Sequence, residues 1–173
     1  MARYPEILAG NRITAQLLDS MLPDIVIKPA NETVTSSTTL QNDDDLFVSV
    51  EANAQYEMSL RLLHDSDNSA AGDVKIGWTG PSGATMFWGG HGANVAETGT
   101  SGTITAVNME THLINETMTF GGGDSSGTYA IIGGVLTTSS TAGTLQLQWA
   151  QNTSNPIAST VRAGSVLSVR RIA

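Results

Sequence analysis

The chain has 173 residues, no cysteine and a formal net charge of −8, which excludes disulfides, thiolate metal sites and a cysteine nucleophile; a body of this size buries roughly 70% of its unfolded surface and needs no staples. The charge is uneven: residues 31–161 carry thirteen acids against Arg61 and Lys75, a net of −11, whereas Arg162, Arg170 and Arg171 make the last stretch basic. So acidic a body repels phosphate backbones, and no apolar run approaches the roughly 18 residues of a membrane span, so neither nucleic acid nor a membrane is an expected partner. The opening residues Met1–Glu6 lack the basic-then-apolar order of a secretory signal, so synthesis in a cytoplasm is expected.

In chain order, Asn11 is placed to cap a helix over residues 11–22, in which Ile13, Leu17 and Met21 fall at i, i+4 and i+8 with Leu18 beside them, before Pro23 stops it. About ten residues is too short for an independent helix, so its apolar stripe must lie against something. Ile25–Ile27 and the Thr-rich run 31–39 follow, the latter reading as a linker or edge strand. A boundary is expected between Pro29 and Leu40, separating an N-terminal anchor (1–39) from a β domain (40–173).

From Leu46 onward the period is two: Leu46, Val48 and Val50 share one face, Tyr56, Met58, Leu60 and Leu62 the next, and Val74, Ile76 and Trp78 a third. Further strands are expected at Met86–Trp88, Ile104–Met109, Leu113–Phe120, Tyr129–Leu136, Leu145–Trp149 and Val166–Ile172, with turns at 80–83, 89–92, 121–124 and 133–134. Eight to ten short antiparallel strands with Gly-rich turns and no second helix predict an all-β fold, a jelly-roll sandwich with a short N-terminal amphipathic helix. Leu63, Val166 and Ile172 fall opposite their strands' main apolar faces, more apolar strand surface than one sandwich core needs. Arg170 and Arg171 point to opposite faces, so at least one needs an anionic partner.

No arrangement of residues here predicts catalysis. Gly123–Gly127 matches G-x-S-x-G around Ser125, but a nucleophile elbow needs a helix behind it, and here the strand Tyr129–Ile132 follows. Asp65–Asp73 resembles a calcium loop yet has Ala70 where the turn glycine belongs and Ile76 where the bidentate glutamate belongs. Asp43-Asp44-Asp45 opens a strand, and three adjacent carboxylates repel one another unless a counter-ion is near. His64, His91 and His112 lie in different segments without ligand spacing. No catalytic residue, metal ligand or cofactor is therefore expected. Trp88, His91 and Asn94, beside a Gly-rich stretch, form the one composition suited to stacking on a sugar.

Arg12–Pro23, Val50–Tyr56, Asp73–Ala84, Leu147–Gln151 and Leu167–Ala173 together resemble a family of small virion structural proteins of tailed actinobacterial phages and their prophages, described as head-decoration or as minor, fibre-like tail components. The body also resembles the trimeric jelly rolls of the tumour-necrosis-factor and complement type. The resemblance implies a non-enzymatic virion protein, a homotrimer on the particle exterior, docked to capsid or tail proteins through Ile13, Leu17, Leu18 and Met21. The alternative it leaves open is a tail-tip module binding a host receptor or surface glycan through Trp88, His91 and Asn94.

Overall fold

A computed structural model describes residues 5, 7–65, 73–95, 106–122 and 127–173. The described chain is one short helix, α1 (Ala15–Asp19), and twelve strands: β1 (Asp24–Ile27), β2 (Glu32–Val34), β3 (Gln41–Val50), β4 (Gln55–Asp65), β5 (Val74–Thr79), β6 (Thr85–Ala93), β7 (Val107–Leu113), β8 (Thr117–Phe120), β9 (Thr128–Thr137), β10 (Gly143–Gln151), β11 (Ser159–Val161) and β12 (Val166–Arg171). All pairings are antiparallel. One sheet runs β1-β12-β4-β9-β6-β7, with β11 joining β4 to β2, and the other runs β3-β10-β5-β8. The inward residues of both belong to one core, with Leu46, Met58, Leu60, Ile76, Trp88, Ile132, Leu147 and Trp149 buried side by side. Two sheets sharing one apolar interior form a β-sandwich.

The period-two reading of β3, β4, β5 and β10 holds residue by residue, because a strand with one wet face must send alternate side chains inward. Three local expectations change. Gly133–Gly134 is not a turn but lies within β9, and Gly89–Gly92 likewise is not a turn but part of β6. A Cβ on Gly89 would overlap the carbonyl oxygen of Glu110, and one on Gly90 would stand 2.7 Å from that of Ile131, so crowding between strands, not a reversal of the chain, demands glycine here. Leu113–Phe120 is not one strand: Glu116 N–H bonds back to the Leu113 carbonyl at 3.0 Å, and its carboxylate accepts from Leu113 N–H at 2.6 Å, closing the β7–β8 turn.

The helix differs too. Asn11 is not its cap, since its side chain accepts from Leu8 N–H at 2.6 Å; Thr14 caps instead, accepting from Leu17 N–H at 3.2 Å. The result is five helical residues, none buried. Beyond it, the expected boundary between residues 29 and 40 falls inside a hydrogen-bonded sheet. β1 pairs with β12 and β2 with β11, so the segment expected as an anchor supplies two strands of the body, the second within the Thr-rich run read as a linker or edge strand.

What draws β1 and β2 in is Lys28. Its ammonium, fully buried, reaches Glu32 at 2.8 Å, Asp43 at 2.9 Å and Asp45 at 3.1 Å. Burial alone would lower the lysine's pKa, but these three carboxylates raise it well above its ordinary value. Burial pushes Asp43 up, its Oδ2 having no partner among the described residues, against Lys28 and the N–H groups of Asp45 and Leu46. For Glu32 burial is outweighed by Lys28 and the Asp44 N–H, and its pKa falls. Both terminal arginines find carboxylates: Arg170 pairs with Glu57 at 2.6 Å across the β12–β4 ladder, and Arg171 pairs with Glu51.

Removing one member of a buried charge cluster strands the others, at a cost of about 3–5 kcal/mol. Lys28→Met is therefore expected to lower unfolding free energy by that amount in denaturant titrations, whereas Lys75→Met, at an exposed contact to the Thr38 carbonyl, changes it by less than about 0.5 kcal/mol.

Candidate interaction surfaces

Two apolar surfaces lie uncovered. The first is the N-terminal segment. Of the four residues expected to dock, Ile13, Leu18 and Met21 are exposed and Leu17 is half-buried, and Ile7, Leu8 and Leu22 extend the same exposed run. A helix this short and solvent-facing gains almost nothing from its own body.

The second is the outer face of the eight-stranded sheet. Register places Phe87 of β6 between Leu113 of β7 and Val135 of β9, and two residues on in each direction along the strands come Thr111, Gly89 and Gly133. After another two come Met109, His91 and Ile131, followed on β4 by Arg61. Side chains two apart share a face, so two apolar ridges flank a trough floored by Gly89 and Gly133 and continued by Ser59 and Ser168. At its β7 end the trough opens to about 400 Å³ beside His91, Met109 and Thr111. A second hollow, of about 390 Å³, prolongs it over Ser59 and Ser168 to Met21 and Pro23. Met109 is 74% exposed and Phe87 67%, unusual for residues of a well-formed sheet. Leu63 and Val166 flank the same face, registered with Tyr129 and Arg61.

The residues proposed from sequence for sugar contact do not share a surface. Trp88 is buried, its Nε1–H donating to the Leu113 carbonyl at 2.8 Å and its ring 5.2 Å from that of His112. His91, an odd number of residues away on the same strand, is exposed on the outer face, and Asn94 lies past the strand end, its N–H bonded to the Ala106 carbonyl at 3.0 Å. Parity along β6 would have separated them had residues 89–92 been read as strand. The aromatic of β6 that does share His91's face is Phe87.

Ser125, Asp67 and residues 66–72 of the calcium-like loop lie outside the described residues. Of that loop's ends, Asp65 faces Arg162 at 3.5 Å, and Asp73 is buried with its Oδ1 accepting from Gly122 N–H at 3.0 Å. A shallow hollow of about 330 Å³ on the four-stranded sheet is lined by Leu40, Gly77, Pro81, Ile114 and Gln148. Neither ring nitrogen of His64, wholly buried against Phe120, has a partner among the described residues, and burial lowers its pKa to about 4. Burial raises Asp73 to about 6, only partly countered by the Gly122 N–H. Both groups are thus held neutral at mildly acidic pH by desolvation.

No protein-family model matches the chain, and no curated protein matches it in sequence. Among solved structures it is loosely similar to the tripod from the baseplate of bacteriophage Tuc2009, covering 95% of this chain and 72% of that one at 12% identity and a TM-score of 0.35. It is also loosely similar to structures of infectious bursal disease virus, strains Gx and Gt, at 11% identity and a TM-score of 0.18 in each case. The matches cover 87% and 97% of this chain and 40% and 43% of those chains. Likenesses this remote carry no inference about activity.

His64 and Asp73 oppose each other in acid. His64 binds fewer protons folded than unfolded between about pH 4 and 6.5, so its contribution to stability is lost as pH falls through that window. Asp73 binds more protons folded than unfolded from its ordinary value up to about 6, so its penalty is relieved as pH falls. Thermal melts of His64→Leu should therefore gain on the native chain as pH drops from 6.5 to 4, by up to about 3 kcal/mol, whereas Asp73→Asn should lose ground to it between pH 6 and 4. Parallel pH profiles for all three proteins would contradict both assignments.

Proposed function

We propose that the chain is a non-enzymatic virion structural protein, a homotrimeric jelly roll on the exterior of a phage particle, attached through its N-terminal segment to capsid or tail proteins. The observation that carries this reading is the N-terminal segment itself. Ile13, Leu18, Met21 and Leu22 stand in solvent on a stretch too short to be stable alone, and exposed apolar groups on a marginal helix suit docking into a partner's groove. The strand order supports the jelly roll. The run β1-β12-β4-β9 faces β3-β10-β5-β8, the pairing expected of two interlocked Greek keys, with β6 and β7 as an inserted hairpin that widens one sheet. The sequence resemblance supplies the setting, and a compact knob with one short anchor suits capsid decoration better than a fibre shaft. Glycan recognition at a tail tip is the weaker reading, since the indole on which it relied is core.

Because β1 and Lys28 belong to the body, the informative truncation removes residues 1–22 and keeps Pro23 onward. The truncated protein is expected to melt within a few degrees of the full chain yet fail to bind particles assembled without it, with immunogold labelling of the full chain falling on the head. Particle binding at native occupancy by the truncated protein would overturn docking through this segment.

A further inference from the structure

Among the described residues the outer face of the eight-stranded sheet has no cover. Phe87, Met109, Leu113, Tyr129, Ile131 and Val135 all stand at least two-fifths exposed on it. Across the six strands from β7 to β1 it measures roughly 24 Å, and roughly 20 Å along them, from the usual strand spacing and rise. That is roughly 480 Å² in projection, which side-chain relief enlarges toward the ~800 Å² per partner that a standard stable interface buries.

Charge says what covers it. Five charged side chains stand on this face by register, Glu57, Arg61, Asp65, Arg162 and Arg170, with Asp65 held by Arg162, a net of +1 in a chain of net −8. The rest of the molecule is therefore at −9. Arg170 is engaged by Glu57, while Arg61, at the end of the Met109–His91–Ile131 ridge, has no carboxylate partner among the described residues. An apolar, slightly basic face is complementary to the acidic flanks of another copy of the same chain, which display Asp44, Glu51 and Glu116, and it is repelled least there. Gly133 points the same way: a Cβ on it would meet only the Met58 carbonyl oxygen, at 3.8 Å. The fold does not demand glycine there, and an unneeded strand glycine marks where another backbone comes close.

We propose that this face is the contact between copies of the chain, a heterologous interface in which the outer sheet of one copy receives an acidic flank of the next, and which closes into a ring. The proposal rests on the homotrimeric reading and adds to it the surface and the chemistry. A face-to-flank contact can close with three-fold symmetry, whereas two identical +1 faces gain nothing electrostatically from meeting.

Light scattering at micromolar concentration is expected to find the native chain trimeric, and Gly133→Arg and Arg61→Glu dissociated by at least about tenfold in concentration. Thr144→Arg, on the exposed side of the other sheet, is expected to stay trimeric. Since the chain has no cysteine, Met109→Cys carrying an environment-sensitive dye should show burial that is lost on dilution, a readout independent of whether the charged variants fold. Trimers that survive both face substitutions with the dye still wet would overturn the face as the interface and leave the virion reading intact. A native chain that is monomeric throughout would overturn this interface and the trimer together. Face variants that dissociate while the full chain never binds particles would uphold the interface and remove the particle.

Discussion

One buried ammonium organises this molecule. Lys28 Nζ bridges Glu32 of β2 and Asp43 and Asp45 of β3, so a single cation spans from the margin of the eight-stranded sheet to the edge strand of the other. Its effect passes down β3. With Lys28 holding it, Asp43 Oδ1 accepts the N–H groups of Asp45 and Leu46 at 3.0 and 2.8 Å, which sets the turn of backbone that points Leu46 into the core. The same residue explains a fault in the neighbouring ladder. The β10–β3 register shifts between Gln146 and Gln148, where Gln146 Nε2 donates to the Asp43 carbonyl at 2.9 Å, so a side chain replaces the backbone partner the bulge removes. Buried ion clusters seldom add net stability over an apolar filling; what this one adds is register, since only one alignment of β1, β2 and β3 brings three carboxylates to one amine.

The two faces of the large sheet solve different problems with the same strands. Inward, Met58, Leu60, Leu62, Trp88 and Ile132 pack to near-zero exposure. Outward, the ridges are apolar but the floor between them is bare: Gly89 is forced by the Glu110 carbonyl, and Gly133 beside it carries no side chain although it has room for one. Close approach of β7 to β6 is thus bought with Gly89, whose missing side chain also carves the trough. The geometry of the interior has shaped the relief of the exterior.

How much of this could be read from the residues follows from how local each signal is. Alternation in β3, β4, β5 and β10 is local and strong, so the all-β fold and most of the core were legible, as was the surplus of apolar strand surface at Leu63 and Val166. Glycine runs misled because the same residue serves turns and crowded strands, and only the position of the neighbouring strand, fixed by long-range pairing, tells the two apart. That error placed Trp88, His91 and Asn94 on one imagined surface when strand parity sends Trp88 inward. Lys28 was missed for the same reason. The three aspartates announced the need of a cation, but its partner lies 15 residues back, beyond the Thr-rich run and in the segment read as a separate anchor. The exposure of Ile13, Leu18 and Met21 was foreseeable from helix length alone, although Thr14 rather than Asn11 does the capping.

A protein with this much exposed apolar surface ought to aggregate, and its charge distribution shows what opposes that. Uncovered sheet faces and apolar segments attract one another without direction, so a sequence that uses them for assembly must make most encounters unfavourable. Here the two acids of the outer sheet face, Glu57 and Asp65, are each held by an arginine, Arg12 balances Asp19 in the N-terminal segment, and the other described acids lie mostly elsewhere. At physiological ionic strength such repulsion acts within about 8 Å, too short to prevent approach but sufficient to penalise contacts that bring acidic flank against acidic flank. The encounters left favourable are those that set an apolar, acid-poor patch against an acidic neighbour or an apolar groove. Selectivity of this kind needs no active site, only an uneven placement of sixteen acids and eight bases over the chain.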